Sequence, residues 1–540
     1  MQQDPSRPAP PRRKDDRVLL HFDYDCFYAQ VVENKDPSLR SRPLGIKQKN
    51  ILATCNYHAR RRGVRKLMLV SEAVTVCPDL VLVPGEDLTP FRQTSKRLYD
   101  FFRSHSWNNK VERLGLDEVF MDVTDMVDYN LSCLNPLTLA DSFFCLSMRD
   151  PEQGFGCDLT SVAGCVAGPL ASRDDVHDDR FLRLLLASHF ANYLRLKVET
   201  DFGYTSACGV ATNKLLSKLV GSCNKPRNQT TLLAWTEDDV HSFLDGYDIK
   251  QLPGLGRKMV LSLESQILSQ DPEVKLPLTV SQVRSHPSIS PSSLETLFRG
   301  PGAEKGVGAR VWRLVHGVDP SEVKEATDVP AQISVEDTYK GLETVAQINE
   351  QLYALSCSLV RRMRCELIVC DEEVKTWMAR PKTLRLSLRS WPAGQSDNFS
   401  RTSRSGPLPG FVFDTEADVE DVAQQLTTQA LIPLLRRLQS DSGQRWNVQL
   451  LNICVVNMVD ERTGAERDIA AMFKTQDEVL RPWRVMRQSE DEGGVGEAAF
   501  EEADLDGGWD STLHSSCPKC GHLVPGFAMA AHARYHELEG

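Results

Sequence analysis

Two short apolar runs, each delivering carboxylates, constrain this chain more than anything else in it. The first, Arg17 to Asp23 (RVLLHFD), has the pattern of a buried strand ending in an acid, and Asp25 follows two residues later. The second, Glu112 to Thr124 (ERLGLDEVFMDVT), sets the adjacent acids Asp117 and Glu118 between apolar segments, with Val119 to Val123 alternating after them. This spacing predicts a hairpin with the acids near its turn. Carboxylates at neighbouring strand ends can clamp two hard divalent cations about 4 Å apart, an arrangement suited to in-line phosphoryl or nucleotidyl transfer. A plainer reading competes: Asp-x-Asp recurs by chance, and an acid pair on a hairpin is usually solvated surface.

The flanking sequence decides between them. The blocks DYDCFYAQVV, ATCNYHARRRGVRKLM, VCPDLVLVPGEDLTPFRQ, VERLGLDEVFMDVT, GVATNKLLSKLVG and QLPGLGRK follow one another in order. Over residues 17–460 the chain resembles the Y-family translesion DNA polymerases, most closely their iota-like branch, with an eta-like member as the alternative. The resemblance implies an α+β multidomain fold: a right-hand polymerase with palm, fingers, helical thumb and α/β little finger, plus a small zinc finger. It also implies template-directed transfer from a dNTP to a primer 3′-hydroxyl on primer–template DNA, in low-fidelity damage bypass, with two Mg2+ (or Mn2+) ions. A non-catalytic DNA- and ubiquitin-binding scaffold is the alternative from a different class.

In that scheme Asp23, Asp117 and Glu118 are the catalytic acids and, with the backbone carbonyl of Tyr24, hold the ions. Asp25 lies within the motif but need not be a ligand. Tyr28 is the steric gate beneath the sugar, and amides around Cys26 and Phe27 meet triphosphate oxygens. Tyr57, Arg60 and Lys218 contact the triphosphate, with Lys214 one helical turn before Lys218 on the same face. Each lysine also reads as a solvated helix face, and Tyr28 as a core aromatic. His58 stands where the family has Glu. Gln48, Lys49 and Ile51 fall in the finger segment that roofs the nascent base pair, and bulky side chains there imply a constricted site that is inaccurate opposite template T; ordinary surface residues on a hairpin are the competing reading.

For the grip on the duplex, the turn Pro253-Gly254-Leu255-Gly256 resembles a helix-hairpin-helix, with Arg257 and Lys258 adding charge; a simple interhelix turn is the competing view. The little-finger segment supplies Arg361, Arg362, Arg364, Lys375, Arg380, Lys382, Arg385 and Arg389. In TLRLSLR, Arg385 and Arg389 share one strand face, which suits sequence-independent binding of a backbone or merely a solvated sheet. Near the end, Cys517 and Cys520, then His532 and His536, have the spacing of a structural Cys2His2 zinc site. So short a segment needs its Zn2+ in order to fold. It resembles the ubiquitin-binding finger of the eta branch, with Arg534 in place of that finger's Asp, so ubiquitin or a ubiquitinated sliding clamp is the expected partner.

At 540 residues the chain needs several modules. The expected plan is a disordered leader at 1–16, palm and fingers at 17–235 (fingers about 28–95) and a thumb at 236–316. A linker at 317–331, a little finger at 332–460, a tail with an acidic spacer at 461–515 and a zinc finger at 516–540 complete it. Arg12, Arg13 and Lys14 suit either a nuclear-import signal or a solvated tail, and the Ser/Gly/Pro-rich stretch 394–410 reads as an exposed loop. No apolar run approaches the ~18 residues of a membrane span, and no signal peptide is evident. Fifteen cysteines, an odd number in mixed contexts, fit a reducing compartment, nucleus or cytosol, and the resemblance implies the nucleus. The net charge of −11 does not argue against nucleic acid, because nine acids lie between Ser489 and Asp510 and the remainder is nearly balanced.

Overall fold

The computed structural model describes residues 8–460, apart from 136, 170–177, 269–276, 301–303, 372–373, 392–400 and 443–445, together with 514–516 and 523–525. It divides into two compact units, Met1–Gly464 and Ala465–Gly540.

Strand β1 (Leu19–Tyr24) sits centrally in a six-stranded sheet. Its alternation buries Leu20, Phe22 and Tyr24 on one face and turns His21 and Asp23 to the other. Cys26, in the left-handed region at φ 38°, turns the chain into α1 (Phe27–Lys35). The hairpin β2 (Leu44–Gln48) and β3 (Ile51–Cys55), helices α2 (Tyr57–Arg61) and α3 (Val70–Val76), and β4 (Val81–Pro84) form a small outlying layer with strand order β3-β2-β4. Its own core is built on Leu52, Cys55, Ala59, Val64 and Ala73.

Helix α4 (Thr89–Ser104) carries its apolar stripe, Phe91, Leu98 and Phe102, back to the main core. The expected hairpin is β5 (Val111–Leu114) with β6 (Glu118–Asp122). After α5 (Thr124–Ser132), a second hairpin of β7 (Ser142–Cys145) and β8 (Gly154–Cys157), and β9 (Cys165–Ala167), comes the long α6 (Asp179–Phe202). Strand β10 (Ser206–Ala211), α7 (Lys214–Val220) capped by Asn213, and β11 (Gln229–Leu232) complete the order β5-β6-β1-β10-β11-β9. Helices α4, α5 and α6 pack on the face of Leu20 and Phe22, and His21, Asp23, Glu118 and Phe120 lie on the opposite face.

A helical module follows: α8 (Glu237–Asp245), α9 (Arg257–Ile267), α10 (Val280–Ser285), α11 (Pro291–Leu297) and α12 (Val307–Val315). Its core includes Val240, Leu263, Leu294 and Val311, and Leu216 and Val220 of α7 join it. The last module of this unit is a sheet of order β12-β17-β15-β16, from β12 (Gln332–Leu342), β15 (Ala379–Ser390), β16 (Arg401–Pro407) and β17 (Val448–Asp460). It is backed by α13 (Val345–Leu367), α14 (Val419–Leu426) and α15 (Ile432–Ser442), and a small hairpin of β13 (Ile368–Asp371) and β14 (Val374–Trp377) lies beside it.

Three expectations change. Leader residues 13–16 are docked: Arg13 keeps 8% of its side chain exposed and donates to the carbonyls of Ala234 and Thr236. Residues 317–331 are no free tether, because Val323 packs on Leu19 and Phe120 and the amide of Ala326 donates to Asn109. The expected loop at 394–410 contains β16, an edge strand paired with β15 from Thr383↔Pro407 to Arg389↔Arg401; its polar composition is what a solvated edge requires.

Among the described residues no helix is long and apolar enough to cross a membrane, and the described cysteines are all free thiols. In the second unit, β18 (His514–Ser516) pairs antiparallel with β19 (Leu523–Pro525). Cys517, Cys520, His532 and His536 lie outside the described residues.

Candidate active site

The register between β1 and β6 sets Asp23 directly opposite Glu118. Asp117 precedes Glu118 in the β5–β6 turn, where Gly115 takes φ 72°, and the Asp117 carbonyl accepts the Tyr24 amide at 2.9 Å. Two strands and one turn therefore bring Asp23 together with the adjacent pair Asp117 and Glu118, far from it in sequence. They border a cavity of about 920 Å³, which Tyr24 to Tyr28, Tyr57, Arg60, Arg65, Lys66 and Lys225 also line.

The electrostatics set the acids apart. Burial and the nearby charges of Asp23 and Glu118 push the Asp117 carboxyl up to about 6. Burial works against ionising Glu118 too, but hydrogen bonds from His21 and Lys218 prevail and bring it down to about 2. The His21 ring, buried and therefore held neutral, lies 3.2 Å from Glu118 Oε2. Asp23 pairs with Lys225. With their cations on them, no three His, Cys, Asp or Glu side chains among the described residues close into a ready metal cage. The donors nonetheless suit a hard divalent cation: they are carboxylate oxygens, and Lys225, the cation acting on Asp117, is paired with Asp23.

Asp25 has a different job. It is 3% exposed, and its Oδ2 accepts from the Thr205 hydroxyl and the Arg227 amide, both at 2.9 Å, so it ties the start of α1 to the β10 and β11 flanks. The Tyr28 ring stacks on Phe91 with centroids 4.2 Å apart, which fixes its plane at the cavity wall. Arg60 lies over the Tyr57 ring at 4.6 Å while its Nε donates to the Cys55 carbonyl. Burial, then Asp25, push the Tyr57 hydroxyl up to about 12, so it stays a donor.

Two models describe this architecture in sequence terms: that of the impB/mucB/samB family matches residues 22–222, and that of the family's C-terminal domain matches 330–468. The chain belongs to the impB/mucB/samB family, the Y-family polymerases. It is 30% identical to DNA polymerase iota of Drosophila melanogaster over 473 residues, 85% of this chain and 57% of that protein. For DNA polymerase iota of Homo sapiens the figures are 32% over 446 residues, 82% and 52%. DNA polymerase eta of Arabidopsis thaliana is 26% identical over 487 residues, 87% of this chain and 67% of that protein. The chain thus spans just over half the length of the iota relatives.

Not every expected residue reaches the cavity of this Y-family chain. Lys214 and Lys218 instead line a neighbouring cavity of about 460 Å³, together with Glu112, Phe120, Arg310 and Arg313. There Lys214 pairs with Glu112 at 2.7 Å, and Lys218 reaches only Glu118 at the boundary. Gln48 is also absent from the cavity wall, its amide donating to the Gly85 carbonyl at 2.7 Å. Lys49 bonds Asp337 and the Thr338 carbonyl of β12.

Arg65, Lys66, Lys225 and Phe91 are additions that sequence reasoning passed over. The first two sit in the basic run after Arg60, a signal that was available. Lys225 precedes a proline in the turn between α7 and β11, and no periodicity marks it.

The basic residues between Arg361 and Arg389 divide in two. Arg361 pairs with Glu420, Arg362 with the Ser334 carbonyl, Arg364 with the carbonyls of Asp414 and Ala417, and Lys375 with Glu416; Arg380 lies over Phe413. These brace the module internally. Arg385 and Arg389 do share one sheet face, joined by Arg401 of β16 opposite Arg389. At the Pro253–Gly256 turn the preceding element is a 3-10 helix, Ile249–Gln251, and Gly254 takes φ 89°.

Proposed function

We propose that this chain is a template-directed DNA polymerase that transfers nucleotides from dNTPs to a primer 3′-hydroxyl in low-fidelity translesion synthesis of the iota-like kind. The observation that carries the reading is the convergence of Asp23, Asp117 and Glu118 at one wall of a nucleotide-sized cavity, with Arg60, Arg65 and Lys66 among its other lining residues.

In this reading the six-stranded sheet and its helices are the palm, the small β2–β4 layer the fingers, α8–α12 the thumb and the β12–β17 module the little finger. Asp23, Asp117 and Glu118, with the Tyr24 carbonyl, would hold two Mg2+ or Mn2+ ions, which when bound activate the 3′-hydroxyl and neutralise the pyrophosphate charge. The chain's own groups do the rest. Tyr57, Arg60, Arg65, Lys66 and Lys225 bind the triphosphate as a hydroxyl donor, forked guanidiniums and point charges. The amides of Phe27 and Tyr28, at the start of α1, have no helical carbonyl to meet and would face the same oxygens. Tyr28, held by Phe91, excludes a 2′-hydroxyl. His21 orients Glu118.

The relatives named DNA polymerase iota support the iota-like branch over the eta-like one. Gln48, Lys49 and Ile51, at the tip of the β2–β3 hairpin, are proposed to narrow the space over the templating base. Nuclear DNA is the proposed place of action. At the far end, β18 and β19 bracket the segment that holds Cys517 and Cys520, as a zinc knuckle requires, so a structural Zn2+ with His532 and His536 is part of the proposal. Ubiquitin is its proposed partner, with Arg534 at the contact position; titrating ubiquitin against the zinc-loaded protein tests this.

Single-nucleotide incorporation opposite each template base, with Mg2+ and with Mn2+, tests the function. The expected result is incorporation that is accurate opposite some bases and poor opposite T. Absence of incorporation rejects the polymerase, and uniform accuracy rejects the iota-like branch.

A further inference from the structure

The helical module α8–α12 is joined to the rest of its unit by two chain segments, the one entering after β11 through Ala234–Thr236 and the one leaving after α12 through Asp319–Ser321. Residues 13–17 grip both. Arg13 donates from Nη2 to the Ala234 carbonyl at 3.1 Å and from Nη1 to the Thr236 carbonyl at 3.4 Å. Arg17 donates from Nη1 to the Ser321 carbonyl at 2.8 Å and from Nη2 to the Asp319 carbonyl at 3.0 Å. One guanidinium fork spans two carbonyls at the entry hinge and a second does the same at the exit hinge, a geometry lysine cannot reproduce.

The grip is itself anchored to the catalytic sheet. Arg13 Nε donates to Asp15 Oδ2 at 2.8 Å, and Asp15 Oδ1 accepts the Thr212 hydroxyl at 3.0 Å, just beyond β10. Arg183 of α6 donates to the Asp16 carbonyl at 2.7 Å, and the Val18 amide donates to Thr124 at 3.0 Å before β1 begins. The segment is extended and alternates: Arg13, Asp15 and Arg17 turn inward while Arg12, Lys14 and Asp16 are exposed. The basic run Arg12-Arg13-Lys14 is therefore split, its middle member committed to the fold.

We propose that residues 13–17 are a hinge brace, and that Arg13 and Arg17 are positioning residues that set the helical module's angle against the catalytic sheet and so its hold on duplex DNA. The proposal rests on the polymerase reading for its DNA. The cavity beside the catalytic one is bounded on one side by Glu112, Phe120, Lys214 and Lys218 and on the other by Gly254, Arg310, Arg313 and the exit segment itself. Its width depends on the hinges that Arg13 and Arg17 fix. Loosening them changes how firmly the duplex is held, and leaves the acids of β1 and β6 in place.

The test uses the full chain with Arg13→Ala, Arg17→Ala and both together, with Arg12→Ala and Lys14→Ala as charge-matched controls. Two quantities are read: dissociation from primer–template DNA, and single-turnover incorporation at saturating DNA. The double variant is expected to dissociate about tenfold faster, a change equivalent to about 1.4 kcal/mol. Its saturated rate falls less than twofold, and both controls match wild type. The slope of log Kd against log salt stays unchanged, because the arginines meet carbonyls and not phosphates. Arg13→Lys recovers only part of the loss.

Unchanged dissociation overturns the brace. So does an equal loss in the controls, or a slope reduced by about one per arginine, which would make them direct phosphate contacts. Hydrogen exchange separates this failure from failure of the polymerase reading. Amides at 233–236 and 318–323 exchange faster in the DNA-free double variant if the brace exists; unchanged exchange overturns it even where catalysis is intact. Faster exchange in a chain that never extends a primer sustains the brace and sinks the polymerase.

Discussion

Individual residues carry the chemistry, and their roles separate in mutation. Lys225 lines the nucleotide-sized cavity and Lys218 the adjacent one, so Lys225→Ala is expected to raise the KM for dNTP about tenfold or more, the worth of a charge-assisted hydrogen bond, while Lys218→Ala raises it much less. Steady-state incorporation with one nucleotide checks this; equal effects would contradict the geometry. The Tyr28–Phe91 stack makes a second prediction. Phe91→Leu frees the Tyr28 ring and lowers discrimination against ribonucleotides a few-fold, whereas Tyr28→Ala lowers it about 10–100-fold, both measured as ratios of kcat/KM.

At this scale the sequence was most legible where chemistry is concentrated. Asp23, Asp117 and Glu118 could be singled out because the blocks flanking them resemble a polymerase family; alone, the acids would have read equally well as solvated surface. Lys225 could not, because its place depends on how a turn folds back over β1. Gln48 and Lys214 looked available for ligand, but partners distant in sequence, Gly85 and Glu112, claim them.

Secondary elements were legible where their pattern is internal to them. The short apolar run ending in an acid made β1 legible directly. Strand β16 was not, because an edge strand with one solvated side has the composition of a loop, and only its pairing with β15 defines it. The strap around Val323 was equally hidden, since its anchors, Leu19 and Phe120, lie some 200 to 300 residues away.

A further element-scale feature is testable by pH. Glu295 of α11 accepts the amides of Gly306 at 2.9 Å and Gly308 at 2.7 Å, capping the start of α12, and these bonds hold its carboxyl below the usual range. A depressed carboxyl stabilises the fold above its unfolded value of 4.5 and loses that contribution as pH falls through the folded value. Glu295→Gln is therefore expected to lower the Tm at pH 7, with the gap to wild type closing in acid. A gap independent of pH would show that the charge is not what caps the helix. The same carboxylate covers the Gly306–Gly308 turn, so of the two glycine turns in the module the one at Pro253–Gly256 is the open candidate for a phosphate.

At the scale of the whole molecule, the acidic balance of the sequence conceals a segregated charge plan. The spacer between Ser489 and Asp510 holds nine acids, while Arg385, Arg389 and Arg401 line one sheet face and Arg60, Arg65 and Lys66 line the catalytic cavity. DNA affinity should accordingly fall steeply with salt. Replacing Arg385 and Arg389 with alanine should flatten the slope of log Kd against log salt by about one for each phosphate that is no longer neutralised. An unchanged slope would leave that face merely solvated.

The measurement closest to the central claim is primer extension by the wild-type chain and by Asp117→Ala, on one template with one correct dNTP and Mg2+. The expected result is extension by wild type and a rate lower by about a thousandfold or more in the variant, with primer–template still bound. Extension at a comparable rate by Asp117→Ala would contradict the claim that these three carboxylates form one catalytic site.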